Sequence, residues 1–178
     1  MPASNAAEII EFIRRQRQTR QFTGEAVSNA DIQSLLEIAR WTGSAGNSQP
    51  WKFIVVRDAE RRAALAASQP HTDFLKDAPL VIAPVMLTGS SYEDGYDEGR
   101  VSERVLLAAT ALGLGSGVVW FYTPDAIAKA REILNVPEGG SVQSAIGIGH
   151  PAPVDPNKPK RPNPRKSLDE LVIWERYE

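Results

Sequence analysis

The chain has 178 residues, no cysteine and a formal net charge of −2 at pH 7, which suits a single domain with a buried core. This composition excludes a disulfide framework, a thiolate metal site and a cysteine nucleophile, and it indicates neither a nucleic-acid partner nor an anionic membrane surface. No apolar stretch approaches about 18 residues and the N-terminus has no apolar signal run, so we expect a cytoplasmic protein with no membrane partner.

The first part of the chain alternates helical and extended patterns. Apolar residues recur at helical spacing after Asn5, which predicts a first helix with Asn5 as its N-cap. Ser28 and Asp31 have the spacing of a capping box and begin a second helix that ends near Trp41. A buried strand over 52–57 follows, and then Asp58 caps a short helix.

The second part begins with an apolar strand over 79–87. Its two prolines predict that this strand lies at a sheet edge or is interrupted. Residues 94–97 are predicted to form a polar loop, and helical spacing predicts a well-packed helix from 98 to about 113. The remaining predicted elements are a strand at 118–122, a helix that begins at Thr123 and Pro124, and a glycine-spaced strand at 141–149.

A proline-rich tail occupies residues 151–178. Prolines at six positions between 151 and 164 favour an extended arm. The arm finishes with basic and then apolar side chains, and its apolar end needs a surface on which to be buried. We expect a homodimer in which the C-terminal arms are exchanged between subunits. The alternative is an arm that packs on its own domain.

The loop sequence GSAGNSQPW at 43–51 is the strongest candidate for a binding site. Its small residues leave room for a flat group close to the backbone. Ser, Asn and Gln carry donors and acceptors on short stems, which suit the edge of a polar ring or a polyol chain. The alternative is an ordinary connection between a helix and a strand.

A cluster of arginines over 14–20 suits bidentate binding of a phosphate, although a solvated helix end would have the same composition.

The glycine run at 113–117 follows a helix and opens a strand, which is the reverse of a dinucleotide-binding motif. It therefore predicts a tight turn, with the further possibility of backbone N–H groups that face a ligand.

Few side chains in this sequence are suited to difficult chemistry without help. His71 and His150 have no metal-ligand spacing around them. Glu98 and Glu103 could form a carboxylate pair, but a salt-bridged surface is the favoured interpretation. A cofactor that carries the reaction is the remaining explanation.

In chain order, four motifs resemble those of the FMN-dependent nitroreductase family. QRQTRQF at 16–22 resembles the family's R-R-S-x-R-x-F, and TGSAGNSQPW at 42–51 resembles A-P-S-x-x-N-x-Q-P-W. LGLGSG at 112–117 resembles the family's L-G-L-G helix end. GHP at 149–151 and RKSLDELV at 165–172 resemble its last strand end and basic tail. The departures are Gln16, Gln18 and Gly43, which replace the family's Arg, Ser and Pro.

The resemblance implies an α+β fold of the nitroreductase type over residues 1–178. Such a fold is a three-layer α/β sandwich with a central sheet of four to five strands, mixed but mostly antiparallel, flanked by helices. It also implies FMN as cofactor and NADPH or NADH as electron donor. The implied reaction is ping-pong hydride transfer through flavin N5 to a small aromatic electron acceptor, a nitroaromatic or quinone-like compound. No catalytic acid–base side chain is expected.

Matching positions imply which residues bind the cofactor. The first motif and the basic tail would hold the FMN phosphate, ribityl chain and pyrimidine edge. The loop would line the flavin from the partner subunit. The third strand would lie along the isoalloxazine ring. Two alternatives of the same fold stay open: a flavin-binding or sensing protein with little turnover, and a specialised flavin oxidase or dehalogenase. The implied cofactor-binding residues are Arg17, Gln18, Arg20, Ser44, Ala45, Asn47, Val118, Val119, Trp120, Arg165 and Lys166.

Overall fold

The computed structural model describes residues 5–153 and 165–177. A short 3₁₀ turn, Ala45–Asn47, lies in the loop that precedes the first strand. The predicted extended path of residues 154–164 lies outside the described part of the chain. In chain order the elements are α1 Ala6–Arg15, α2 Asn29–Arg40, β1 Trp51–Val56, α3 Ala59–Ala66, α4 Phe74–Asp77, β2 Leu80–Met86, α5 Ser91–Ala111, β3 Gly115–Trp120, α6 Pro124–Ile133 and β4 Ser144–Gly149.

The four strands form one sheet in the order β1-β2-β4-β3. Each neighbouring pair is antiparallel. Strands β1 and β3 are therefore the two edges, with two strands between them. Because neighbouring strands are about 4.8 Å apart, β1 and β3 are separated by roughly 14 Å.

Helices cover both faces of the sheet, which makes three layers. On one face, Ile82 and Ile146 pack with side chains of α2 and α5. On the other, Val81 and Ala145 pack with side chains of α3, α4 and α6. Strand β2 is buried along its whole length because it is an inner strand covered on both faces. The predicted α+β three-layer fold is confirmed.

Helix α5 begins earlier than predicted, and the predicted polar loop at 94–97 is wrong. Ser90 is the N-cap, and its side chain accepts a hydrogen bond from the backbone N–H of Glu93. Asp94 is buried on the inner side of the helix, where it accepts from the hydroxyls of Thr88 at 2.6 Å and Ser141 at 2.8 Å. The acidic composition of this segment predicted a solvated loop. In the fold, hydroxyl groups donate hydrogen bonds to the buried carboxylate of Asp94 instead.

The prediction of an edge or interrupted position for the strand containing Pro84 is also wrong. Strand β2 lies between β1 and β4, and Pro84 pairs in register with Phe53 of β1. The N–H of Met86 donates to Ser141 on the β4 side, so the nitrogen of Pro84, two residues earlier, faces that side too. The ladder between β2 and β4 covers only Leu80–Ile82, so Pro84 lies beyond it and no ladder hydrogen bond is lost.

The favoured interpretation of Glu98 and Glu103 as a salt-bridged surface is wrong for Glu98. Five residues separate the two, so they face different sides of α5. Glu98 is fully buried, whereas Glu103 is exposed.

Within the described residues, no helix is long and apolar enough to cross a membrane.

Candidate functional site

The segment that follows α1 runs along the open edge of β3. The N–H of Thr19 donates to the carbonyl oxygen of Ser116 at 2.7 Å. The side-chain oxygen of Gln18 accepts from the N–H of Val118 at 3.2 Å. These bonds fix the first predicted binding motif against the third strand.

Glycines in β3 allow this close approach. A β-carbon on Gly115 would lie 3.0 Å from a side-chain carbon of Thr19, and one on Gly117 would lie 2.8 Å from the carbonyl oxygen of Thr19. The glycine run therefore makes room for the chain's own segment, in addition to the tight turn predicted at Gly113, whose φ is +74°.

The basic residues divide into two groups. Arg14 and Arg15 both bind Glu11, and the hydrogen bond from Arg14 lowers the pKa of Glu11 to about 2. These two arginines are a salt-bridged helix end, as the alternative interpretation proposed. The second group is Arg17, Arg20 and Arg165, which line a cavity of about 350 Å³ together with Gln16 and Gln18.

Two of these cations are held in place by neighbouring groups. Arg17 donates to the carbonyl oxygens of Arg14 at 2.8 Å and Gln16 at 2.6 Å at the end of α1. The guanidinium of Arg20 lies 5.4 Å from the ring centre of Phe74, which is buried in α4. A cation that stacks on an aromatic face loses little side-chain freedom when it binds an anion.

The end of β3 is clamped by Gln69. Its side-chain nitrogen donates to the carbonyl oxygen of Trp120 at 2.8 Å, and its side-chain oxygen accepts from the N–H of Tyr122 at 3.3 Å. Sequence reasoning missed Gln69, because a glutamine in a turn after a helix carries no distinguishing pattern.

One backbone donor on this edge is left open. The N–H of Phe121 donates to Gln143 of β4 at 2.8 Å, so by alternation the N–H of Trp120 points away from β4, to the open edge. No acceptor for it lies within residues 5–153 and 165–177. This N–H lies between the bonds made by Gln18 and Gln69, where a planar molecule laid along the edge could accept from it.

The loop at 43–51 is strained. Asn47 and Gln49 have φ values of +56° and +51°, a region that non-glycine residues rarely adopt. The hydroxyl of Ser44 accepts from the N–H of Gln49 at 2.8 Å. Such strain concentrates at functional sites. Ala45 and Asn47 are exposed and Ser44 is half-buried, so the loop presents polar atoms to solvent.

Gly43 makes room for an arginine. A β-carbon there would lie 2.9 Å from a terminal nitrogen of Arg100, which is paired with Asp97 at 3.0 Å. A proline at this position, as in the family motif, would require the guanidinium of Arg100 to shift.

Within one chain the two halves of the predicted site lie apart. The loop leads into β1 at one sheet edge, and the segment with Arg17 and Arg20 lies against β3 at the other. Among the described residues, no hydrogen bond joins the loop to that segment. The structure thus brings together Arg17, Gln18, Arg20 and Arg165 in one cavity and joins Gln18 to Val118 of β3. Val119, Trp120, Ser44, Ala45, Asn47 and Lys166 are not among the residues that line that cavity.

The family model described as the nitroreductase family matches residues 13–77. A protein of Archaeoglobus fulgidus that carries the name "Putative NADH dehydrogenase/NAD(P)H nitroreductase" is 34% identical over 149 residues, which is 81% of this chain and 86% of that protein.

Solved structures agree with this match. A protein from Desulfovibrio desulfuricans in complex with FMN is 30% identical, with a TM-score of 0.76 over 96% of this chain and 98% of its own. An FMN-dependent nitroreductase from Clostridium difficile is 26% identical, with a TM-score of 0.80 over 94% of this chain and 99% of its own. The fold is an α+β sandwich of the nitroreductase type. The chain belongs to the nitroreductase family.

Proposed function

We propose that this protein is an FMN-dependent NAD(P)H oxidoreductase that reduces nitroaromatic or quinone-like acceptors. The observation that carries the proposal is the open N–H of Trp120 on the edge of β3, the same edge on which Val118 bonds Gln18, which lines a cavity together with three arginines. An edge donor beside a cationic cavity suits a flat heterocycle that carries a phosphate on a flexible chain. Oxidoreductase function at the level of the family supports the same conclusion.

The residues present fit FMN. A phosphate dianion needs two or more cations, and Arg17, Arg20 and Arg165 line the same cavity. The side-chain oxygen of Gln18 is used by Val118, which leaves its NH₂ group as a donor for a ribityl hydroxyl. We assign Lys166 to the rim of the same phosphate site, because it adjoins Arg165 in the chain.

FMN, when bound, accepts a hydride from NADPH or NADH and passes the electrons to the acceptor. The chain's part is to bind and orient. The N–H of Trp120 would hold the ring at its reactive edge, and the fixed charge of Arg20 would stabilise the negative charge that reduction adds to the pyrimidine side. No side chain of this site is needed as an acid or base, so protons would come from water.

We also propose a homodimer whose loop at 43–51 completes the flavin site of the partner subunit. Two apolar surfaces that are exposed among the described residues support this arrangement. Helix α1 has no buried residue, and Ile10 is 65% exposed on it. In the tail, Trp174 is 82% exposed and Leu171 is 60% exposed. A second copy that covers both surfaces would bury area that is otherwise in water.

The first experiment is a visible spectrum of the purified protein, followed by anaerobic titration with NADPH and with NADH. Absorption near 450 nm that bleaches with a nicotinamide and returns with a quinone is the expected result. Bound flavin that does not bleach would support the sensing or specialised alternatives. A colourless protein that cannot be reconstituted with FMN would overturn the proposal.

Two variants test the residue roles. Arg20→Ala should weaken FMN binding and lower the flavin potential, whereas Arg61→Ala, an exposed arginine on α3, should change neither.

Ile10→Asp should convert the dimer into a monomer, as measured by light scattering, and Ala128→Asp, at an exposed position of α6, should leave it dimeric. A monomeric wild-type protein would exclude the proposed dimer.

A further inference from the structure

A fully buried acid lies behind the strand end described above. Glu98 of α5 is 0% exposed. One carboxylate oxygen accepts from the hydroxyl of Ser144 at 2.6 Å and from the backbone N–H of Gln143 at 3.1 Å. The other carboxylate oxygen has no hydrogen-bond partner within the described residues. The proposed reaction assigns no role to this group.

The acid is connected to the end of β3 through the backbone of Gln143, which bonds Glu98 through its N–H and Phe121 through its carbonyl oxygen. Gln143, whose N–H donates to Glu98, accepts at its carbonyl oxygen from the N–H of Phe121 at 2.8 Å. Ser144 is the register partner of Trp120. Glu98 thus fixes the backbone just before β4 at Gln143. Gln143 in turn bonds Phe121, which directly follows Trp120 and its open N–H.

We infer that Glu98 is a positioning residue that holds the end of β3 in its flavin-binding geometry and transmits its own change of charge to that site. The inference rests on the proposed function in one respect, namely that the flavin lies along β3. The connection from Glu98 to Trp120 is a property of the protein alone and can be tested without flavin.

The surroundings of Glu98 make its charge responsive in the neutral range. Burial raises the pKa of Glu98 to about 7, against the opposing effect of the bonds from Ser144 and Gln143, and the nearby carboxylate of Asp94 adds to the rise. Asp97 is paired with Arg100 on the side of the helix that faces Gly43. Apolar side chains of the sheet and of α2 pack against α5, and the hydroxyl of Ser144 lies 3.5 Å from that of Ser102 on the same helix as Glu98.

The sign of the effect follows from the charge. When Glu98 is ionised, a negative charge lies one strand away from the proposed flavin edge and opposes the added charge of the reduced cofactor. The reduction potential should therefore fall more steeply through pH 7 than flavin protonation alone would cause. When Glu98 is protonated, it has the charge and nearly the shape of glutamine.

The experiment compares wild type with Glu98→Gln across this pH range, with Glu103→Gln as the matched control on an exposed face of the same helix. In flavin-loaded protein, the potentials of wild type and E98Q should coincide well below pH 7, and wild type should be more negative well above it. E103Q should follow wild type throughout. Equal potentials of wild type and E98Q at every pH would overturn the inference.

A second readout uses flavin-free protein. With fluorotryptophan incorporated, the ¹⁹F signal that disappears in Trp120→Phe should titrate near pH 7 in wild type and stay constant in E98Q. Ser144→Ala, which removes one of the two bonds and keeps the acid, should reduce the amplitude of that titration. A Trp120 signal that does not titrate in wild type would overturn the inference whether or not the protein binds flavin, whereas absent flavin with a normal titration would contradict only the proposed function.

Discussion

A β-carbon on Gly117 would lie 2.8 Å from the carbonyl oxygen of Thr19 and 3.2 Å from the ring of Phe74. Both neighbours are constrained, because one is backbone and the other is a buried ring. We predict that Gly117→Ala displaces the segment that carries Gln18 and Arg20, costs about 1–3 kcal/mol of unfolding free energy, and weakens FMN binding. Urea unfolding and flavin fluorescence titration measure the two effects.

Gly99→Ala is the matched control for that substitution. Gly99 lies within α5, and nothing is within 4 Å of a β-carbon placed on it. Because alanine favours helix over glycine, the control should stabilise the protein by about 0.5–1 kcal/mol and leave FMN affinity unchanged. Equal losses in both variants would contradict the close packing of the segment on β3.

Gln69→Ala should loosen the end of β3. The variant loses the two bonds to Trp120 and Tyr122, which should cost about 1–2 kcal/mol of unfolding free energy. If Trp120 holds the flavin, the visible spectrum and the FMN dissociation constant should change as well. Gln33→Ala, an exposed position of α2, should stay within about 0.5 kcal/mol of wild type. An unchanged spectrum in Q69A would argue against flavin at this edge.

Glu98 should make the stability of the protein depend on pH. Its pKa in the folded protein is about 7, raised by burial from an ordinary value of 4.5. Between these values the folded state keeps a proton that the unfolded state releases. The associated stability is therefore complete below about pH 4.5 and is lost as the pH rises to about 7, a total of about 3 kcal/mol.

Urea unfolding at several pH values tests this dependence. The exposed acids Glu11, Glu37 and Glu170 have lowered pKa values, so their contributions change below about pH 4.5, outside this window. E98Q should remove the slope between pH 4.5 and 7. A slope of the same size in E98Q would show that another group is responsible.

Gly43 and Arg100 should be energetically coupled. Gly43→Ala would push the guanidinium away from its position next to Asp97, at an expected cost of about 0.5–1 kcal/mol. In an Arg100→Ala background the same substitution should cost nearly nothing, because the obstacle is gone. A double-mutant cycle measures the difference. Additive effects would mean that Arg100 swings away freely.

The layer architecture could be predicted from the sequence because it depends on local pattern. The apolar run over 79–87 and the helical spacing that includes Val101 and Val105 are visible without coordinates. Pro84 led to a wrong prediction of an edge or interrupted strand. A proline is tolerated in this inner strand because the ladder with β4, a strand distant in sequence, ends before Pro84. That information comes only from the register of β2 with β4.

The candidate site also contains residues that the sequence predicted and residues that it did not. Gln18 and Arg20 were predicted from their motif, whereas Gln69 and Arg100 act on residues more than 50 positions away and have no local signature. Glu98 did have a signal. It lies three and seven residues before Val101 and Val105, on the apolar stripe of α5. An acid on such a stripe predicts a buried carboxylate.

The placement of β1 and β3 on opposite edges of the sheet has a genetic consequence. In the proposed dimer, Arg20 of one subunit and Asn47 of the other belong to the same flavin site. Homodimers of Arg20→Ala and of Asn47→Ala would each carry two damaged sites. A mixed dimer of the two would combine both defects in one site and leave the second intact, so random subunit exchange should restore about a quarter of the sites. Two inactive alleles would then complement each other.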